Sequence, residues 1–185
     1  MNREEVAEAR RQVRGIISAY FNALDTGDMR ALGEVFRYGR TRAQSSRSGA
    51  QVIAEPDEPY EGSERIIQQF VTHNYFYDGT PSTKHFTTNL TMEIHHETNR
   101  ATSRSRFTVV QARPGFPLQP IVTGRYVDSF EWRAGRWWLV DRFEDCFLWG
   151  DVRHHLVDEL RRRLQLPEFE RRAPRAEIPD VPDHS

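Results

Sequence analysis

The fold of this chain is decided by one stretch, "IVTGRYVDSFEWRAGRWWLVDRFEDCFLW", which spans residues 121–149. On both sides of "RAGR", residues 133–136, apolar and aromatic residues alternate with polar ones. Alternation with a period of two is typical of strands that bury one face, and the glycine in "RAGR" supplies the chemistry of a tight turn. The stretch therefore predicts two long antiparallel strands joined as a β-hairpin.

Two further strands are predicted just before this hairpin. In "KHFTTNLTMEI", residues 84–94, every second residue from Phe86 to Ile94 is apolar or threonine. After the turn residues "HETNR", "ATSRSRFTVVQ" (101–111) has the same period. The next segment, "ARPGFPLQP" (112–120), is rich in proline, and we expect a loop there.

The N-terminal part of the chain has the period of helices. Apolar residues recur at spacings of three and four over residues 3–26, which predicts an amphipathic helix. Asp28 can cap a short second helix at 29–36, and Ser63 a third at 63–73. Residues 39–62 are predicted to hold a weak strand and a long loop. Helices followed by antiparallel strands predict an α+β fold, with the sheet curled around the helices as a cone.

Length and composition narrow the class of protein. The 185 residues fit one domain, residues 1–150, followed by a short helix and an extended tail at 151–185. A net charge of −1 favours neither a nucleic-acid nor a membrane partner. The single cysteine excludes an internal disulfide framework. The N-terminus lacks the apolar segment of a signal peptide, so we expect a cytoplasmic protein.

Three segments in order resemble the SnoaL-like branch of the NTF2-like superfamily, which has a cystatin-type fold. They are "ALDTGDMRALGEVF" (23–36), "KHFTTNLTMEI" (84–94) and "GRYVDSFEWRAGRWWLVDR" (124–142). The resemblance covers about residues 5–145 and implies three N-terminal helices packed in a curved, largely antiparallel sheet. This fold hosts dehydratases, isomerases, polyketide cyclases, dehydrohalogenases and the small subunits of ring-hydroxylating dioxygenases, so fold alone does not fix function.

The resemblance also implies catalytic residues. In scytalone dehydratase and hexachlorocyclohexane dehydrochlorinase, an aspartate late in the first helix pairs with a histidine that opens a strand. Asp25 and His85 occupy the matching positions, and Tyr20 matches a tyrosine of the ketosteroid isomerases. A carboxylate bound to one imidazole nitrogen raises the basicity of the other. We therefore expect His85 to abstract a proton, Asp25 to orient it and Tyr20 to polarise a carbonyl.

Asn89, Tyr126 and Asp128 are candidates for substrate binding. Tyr126 and Asp128 share one face of a predicted strand and could form a polar wall of the pocket. The structural alternative is a cross-strand pair with Arg104 or Arg106.

We expect no metal and no cofactor. The adjacent histidines at 95–96 point to opposite faces of a strand end, and the pair at 154–155 is no better arranged for a metal. The sequence contains no glycine-rich phosphate loop and no H-E-x-x-H motif.

The alternation in residues 84–94 raises a difficulty for the proposed base. It places His85 on the strand face opposite Leu90, Met92 and Ile94. If those three line the core, His85 points outward unless a β-bulge intervenes. If they instead face a partner subunit, His85 and Asn89 lie inside the cone.

The sequence leads to two functional hypotheses. The first is a cofactor-independent lyase or cyclase, acting by dehydratase-type proton abstraction on a small hydrophobic, oxygenated metabolite of polyketide-like or aromatic character. The second is a non-catalytic ligand-binding or assembly subunit that resembles the dioxygenase small subunits. For the fold we expect a homodimer or homotrimer, because an exposed sheet face or edge usually has a partner. A subunit of the second kind should instead expose a large apolar face to a different chain.

Overall fold

The structure is a computed structural model that describes residues 3–45, 51–53 and 60–166. The helices are α1 (Arg3–Thr26), α2 (Met29–Val35), α3 (Ser63–His73) and α4 (Asp158–Arg163). The strands are β1 (Arg40–Ser45), β2 (Gln51–Ile53), β3 (Tyr60–Glu61), β4 (Thr83–His95), β5 (Arg100–Arg113), β6 (Phe116–Arg133) and β7 (Arg136–Trp149). Most of the predicted C-terminal tail, residues 167–185, lies outside the described residues.

The strands form one mixed, curved sheet in the order β2-β1-β7-β6-β5-β4, with β3 beside β1. Strands β4 to β7 follow one another as antiparallel neighbours. Strand β1 instead joins β7 in parallel, from Arg40 opposite Asp141 to Ser45 opposite Cys146. The α+β fold, with N-terminal helices packed on a curved and largely antiparallel sheet, is confirmed. None of the helices in the described ranges is long and apolar enough to cross a membrane.

The predicted hairpin is confirmed as β6 and β7. Its turn consists of Ala134 and Gly135, whose φ angles are 50° and 81°. Two consecutive positive φ angles are typical of the turn whose twist matches that of paired strands. The hairpin is not regular throughout, because its register shifts by one residue between Ser129 and Phe130.

The prediction of a proline-rich loop at residues 112–120 is wrong for most of that segment. The chain turns at residues 114–115, and β6 begins at Phe116. Pro120 lies opposite Val110, where the register between β5 and β6 shifts. Strand β7 pairs with β6 only from Val122 onward. The proline therefore has no strand on its other side, and its missing N–H costs the sheet little.

The starts of the two short helices differ from each other. Asp28 caps α2 as predicted, because its Oδ1 accepts a hydrogen bond from the Ala31 amide at 2.9 Å. The predicted cap of α3 by Ser63 is wrong, since Gly62 is the N-cap residue and Ser63 is already helical. The Ser63 hydroxyl instead donates to the Gly33 carbonyl at 2.6 Å, which ties α3 to α2.

A β-bulge in β4 resolves the difficulty over His85. Two residues, Asn89 and Leu90, occupy the space between the pairs Thr88–Arg106 and Thr91–Arg104. Asn89 has a φ of 54°, in the left-handed region. The extra residue reverses the alternation, so that His85 and Leu90 both face the helices. Packing against the buried core continues beyond the bulge with Leu90, Met92 and Ile94.

The core lies between α1 and the concave face of the sheet. The inner face of α1 contributes small and large apolar side chains in turn, and β5, β6 and β7 supply the opposing surface. The most deeply buried apolar residues of the core, to which α2 and β1 also contribute, include Val13, Ala23, Leu32, Phe36, Ala43, Ala101, Phe107, Ile121, Phe130 and Leu139. This packing fixes the last turn of α1 against the start of β4, which is where the candidate site forms.

Candidate functional site

Asp25 and His85 form the centre of the site. The Asp25 carboxylate lies at the end of α1 and faces the first residues of β4. Its Oδ1 is 2.6 Å from His85 Nδ1 and also accepts from the Thr83 hydroxyl at 3.1 Å, while Oδ2 accepts from the His85 amide at 3.0 Å. Only 10% of the Asp25 side chain and 7% of the His85 side chain are exposed. Three contacts therefore hold one carboxylate in one orientation.

The protonation state of this pair follows from its surroundings. Burial alone would raise the pKa of Asp25, but its hydrogen bonds with His85 and Thr83 outweigh burial and lower that pKa. An ionised carboxylate has no proton to give, so Nδ1 of the imidazole is the donor. In neutral His85 the lone pair then lies on Nε2. The ring is also stacked on Phe21, with 5.5 Å between ring centroids.

His85 lines a cavity of about 90 Å³ inside the cone. Its floor is the concave sheet, and its other walls come from α1, α2, α3 and the C-terminal segment around α4. Most of the lining side chains are apolar, among them Leu24, Leu32, Phe36, Ile66, Val109 and Leu160. A largely apolar cavity with a few polar groups is the usual form of a small-molecule site.

Tyr20 and Tyr126 line the same cavity. Burial raises the pKa of both phenols, so each keeps its proton and can donate a hydrogen bond. The Arg142 guanidinium lies against both rings, 4.0 Å from the centroid of Tyr20 and 4.4 Å from that of Tyr126. The structure thus brings Tyr20 and Tyr126 together with the histidine and aspartate pair.

Asp128 and Asn89 are placed elsewhere. Asp128 binds Arg142 through two hydrogen bonds, from Nε at 2.8 Å and from Nη2 at 2.7 Å, and both side chains are 1% exposed. The expected alternative partners, Arg104 and Arg106, lie opposite Val127 and Arg125 instead. Asn89 is exposed at the bulge. Neither Asp128 nor Asn89 is among the residues that line the cavity.

A family model described as a SnoaL-like domain matches residues 5–142 of this chain. The chain belongs to the SnoaL-like domain family. No curated protein sequence is similar enough to count as a match.

Solved structures share the fold of this SnoaL-like domain at low sequence identity. The β subunit of a putative aromatic-ring-hydroxylating dioxygenase from Novosphingobium aromaticivorans has a TM-score of 0.62 and 16% identity, over 81% of this chain and 97% of that one. A putative scytalone dehydratase from the same organism has 0.58 and 18%, over 82% and 91%. The hexachlorocyclohexane dehydrochlorinase LinA-type3 from Novosphingobium barchaimii has 0.58 and 15%, over 80% and 93%.

Polar residues that were not among the predicted site residues also line the cavity, and two of them, Glu144 and His155, lie near His85. Glu144, on β7, lies opposite Tyr126 of β6 and reaches the cavity. Burial raises the pKa of its carboxyl group, against the effect of the Cys146 thiol, which donates to Oε1 at 3.5 Å. His155 enters from the turn between β7 and α4. Neither position carries a motif, and only the curvature of the sheet and the packing of the segment after β7 bring them near His85.

The SnoaL-like domain shows no cluster suited to a metal ion in the ranges 3–45, 51–53 and 60–166. Within those ranges, no group of three or more His, Cys, Asp or Glu side chains could hold one. His73, His85 and His155 all line the cavity, but His85 is already bound to Asp25 through Nδ1. The polar side chains that line the cavity can transfer protons and form hydrogen bonds.

Proposed function

We propose that this protein is a cofactor-independent lyase that eliminates a leaving group by proton abstraction, with His85 as the general base. The observation that carries the proposal is the 2.6 Å hydrogen bond from His85 Nδ1 to the Asp25 carboxylate. The same His85 side chain lines a largely apolar cavity. A buried imidazole held in this tautomer presents a basic Nε2 to whatever occupies the cavity. Such a base is worth about 10²–10⁴-fold in rate.

The proposed reaction is balanced by groups of this chain alone. His85 Nε2 takes a proton from a carbon next to a carbonyl, and Tyr20 donates a hydrogen bond to the oxygen that gains charge. The bond from the next carbon to a hydroxyl oxygen breaks as the carbon–carbon double bond forms. Glu144, whose burial favours the protonated carboxyl, gives its proton to that oxygen, and water leaves. The proton on His85 returns to Glu144 before the next cycle.

The walls of the cavity support the proposed substrate class. Apolar side chains favour a hydrophobic molecule, and the polar groups at His85, Tyr20 and Glu144 require oxygen atoms on it. The similar folds whose names include a dehydratase and a dehydrochlorinase support elimination as the reaction type. We therefore propose a small oxygenated metabolite of polyketide-like or aromatic character, for which a cyclase reaction initiated by the same base is the related outcome.

The test is dehydration of a panel of small β-hydroxy ketones, followed by the ultraviolet absorbance of the enone product. Asp25→Asn and His85→Gln should each lower kcat by about 10²–10⁴-fold. Asp28→Asn is the matched control, because that carboxylate caps α2 on the surface and should leave kcat unchanged. Turnover that survives in both Asp25→Asn and His85→Gln would remove the pair from the mechanism.

A second candidate function is that of a binding or assembly subunit. The outer face of the sheet carries one cross-strand row, Phe86–Thr108–Thr123–Leu148, whose neighbours are paired in register. Phe86 is 56% exposed and Leu148 is 67% exposed. Exposed apolar side chains on one sheet face favour contact with another chain. A partner of different sequence that copurifies through this row, together with absent turnover, would support this candidate.

A further inference from the structure

We propose that His155 is the residue that recognises an oxygen atom of the bound molecule, by a hydrogen bond from its imidazole ring inside the cavity. The proposal rests on the proposed function, because it names the group by which that same site selects its substrate. It assigns a specificity-determining role to a residue of the segment that follows the last strand. The substrate class becomes ketones and alcohols, as opposed to hydrocarbons of the same shape.

The first observation is that the His155 ring is buried with an unpaired nitrogen. The residue is 9% exposed and lines the cavity that contains His85. Its Nδ1 is shielded from solvent and has no hydrogen-bond partner in the described part of the chain. Buried polar atoms in folded proteins are nearly always paired with protein, water or ligand. The ring of a residue that lines the cavity therefore has hydrogen-bonding capacity left for an occupant of that cavity.

The second observation is the protonation state of the ring. Burial, with a smaller effect from nearby His85, lowers the pKa of His155 to about 3. The ring is therefore neutral at physiological pH, with one N–H donor and one acceptor nitrogen. A neutral imidazole can form a hydrogen bond with a carbonyl or hydroxyl oxygen. It adds no positive charge that would repel a proton arriving on His85 Nε2.

The third observation is that the backbone holds His155 in place from both sides. Its amide donates to the Val152 carbonyl at 2.9 Å, and its carbonyl accepts from the Tyr75 amide at 2.8 Å. The next residue, Leu156, is bridged to Asn74. These contacts fix the turn against the segment after α3, so the cavity-lining residue His155 has a braced backbone. A preorganised polar group loses little freedom when a ligand binds it.

The experiment is ¹⁵N NMR of the histidine rings with two probes of matched shape, 2-butanone and 2-methyl-1-butene. They differ only in that the ketone oxygen is replaced by a CH₂ group. We expect the ketone, and not the alkene, to shift the His155 ring nitrogens. His155→Phe should weaken ketone binding about tenfold, the effect of one such hydrogen bond, and leave alkene binding unchanged. His155→Gln, which keeps a donor and an acceptor, should recover part of the ketone affinity.

His154→Phe is the matched control, because this neighbour packs edge-on against Phe116 and does not line the cavity. It should bind both probes as the wild type does. Equal binding of ketone and alkene to the wild type, or unchanged ketone affinity in His155→Phe, would overturn the proposal. If His155→Phe fails to fold, the wild-type ring shifts alone decide.

The probe experiment also separates this proposal from the elimination reaction. Asp25→Asn removes the carboxylate that orients the proposed base but leaves His155 untouched, so it should keep the preference for ketone over alkene. A protein that discriminates the probes yet dehydrates nothing would refute the lyase and retain His155 as a recognition residue. A protein that dehydrates β-hydroxy ketones equally well without His155 would support the lyase and refute His155 as a recognition residue.

Discussion

A single carboxylate, that of Asp25, accepts hydrogen bonds from the Thr83 hydroxyl, the His85 amide and the His85 ring. It is therefore a structural anchor between α1 and β4 as well as the orienting group of the proposed base. Asparagine at this position can accept fewer of these bonds and presents an N–H₂ group to one of the donors. We expect Asp25→Asn to lower the free energy of unfolding by about 1–3 kcal/mol at neutral pH.

The same substitution has a predictable dependence on pH. The pKa of Asp25 is lowered in the folded state, so its stabilising effect is complete above the unfolded value of about 3.9 and is lost as the pH falls through the folded value. The stability difference between wild type and Asp25→Asn should therefore shrink as the pH falls below about 4. Urea unfolding across pH 2–8 measures it. A difference that does not change over this range would contradict the prediction.

Glu144 should show the opposite pH dependence. Its carboxyl pKa is raised by burial, so the folded state retains a proton that the unfolded state has released. Stability relative to a neutral side chain is then complete below the unfolded pKa of about 4.3 and falls as the pH rises toward the folded value. We expect Glu144→Gln to gain stability over wild type as the pH rises from 4, measured by thermal unfolding.

The buried pair of Asp128 and Arg142 gives a third prediction at this scale. Asp128→Asn leaves a buried guanidinium without its counter-charge and should cost about 3–5 kcal/mol in urea unfolding. Replacing both residues, as in Asp128→Leu with Arg142→Met, should recover most of that loss. Asp141→Asn is the control, because Asp141 binds the half-exposed Arg40 and Arg42 and should cost about 0–1 kcal/mol. Equal losses in the two single variants would contradict the prediction.

The partner of Asp128 could not be predicted from the hairpin sequence. Counting outward from the turn pairs Trp132 with Trp137 and Phe130 with Leu139, and it would set Asp128 opposite Asp141. The one-residue register shift after Phe130 moves Asp128 opposite Arg142 instead. No residue type at that point signals the shift. Asp25 and His85 were predictable because the resemblance supplied their pairing, which strand periodicity alone contradicted.

At the scale of elements, the bulge in β4 determines which way His85 faces. Asn89 adopts a φ of 54°, where a β-branched residue costs about 1–2 kcal/mol. Asn89→Ile should lower stability by about that amount in urea unfolding, and Asn89→Gly should be tolerated. Thr91→Ile, two residues along the same strand, should be tolerated as well. If Asn89→Ile has the same free energy of unfolding as the wild type, the bulge can move to another residue at little cost.

The elements themselves were more predictable than their irregularities. The helix at 3–26 and the hairpin about residues 134–135 follow from periodicity and turn chemistry, which act over a few residues. The strand through Pro117 and Pro120 was missed, because composition cannot show that this part of β6 has a neighbour on one side only. Glu144 and His155 were missed for a similar reason, since their position near His85 depends on the curvature of the sheet and on how the segment after β7 packs.

At the scale of the whole molecule, the outer sheet row Phe86–Thr108–Thr123–Leu148 predicts self-association. With strands about 4.8 Å apart, Phe86 and Leu148 are roughly 14 Å from each other, a span that a second copy can cover. We expect a homodimer or homotrimer in sedimentation velocity, and a monomer for Phe86→Glu with Leu148→Glu. Val71→Glu, at an exposed position of α3, is the control and should keep the wild-type mass. A wild-type protein whose sedimentation gives the monomer mass of 21.7 kDa would refute the prediction.

The parallel pairing of β1 with β7 determines how early during synthesis the sheet can be completed. Strand β1 ends at Ser45, but its neighbour runs from Arg136 to Trp149, about a hundred residues later in synthesis. Until that strand leaves the ribosome, β1 lacks its parallel neighbour, and the part of the cavity wall that β7 supplies is missing. Contacts so distant in sequence also slow folding. The cavity is therefore among the last features of the nascent chain to form.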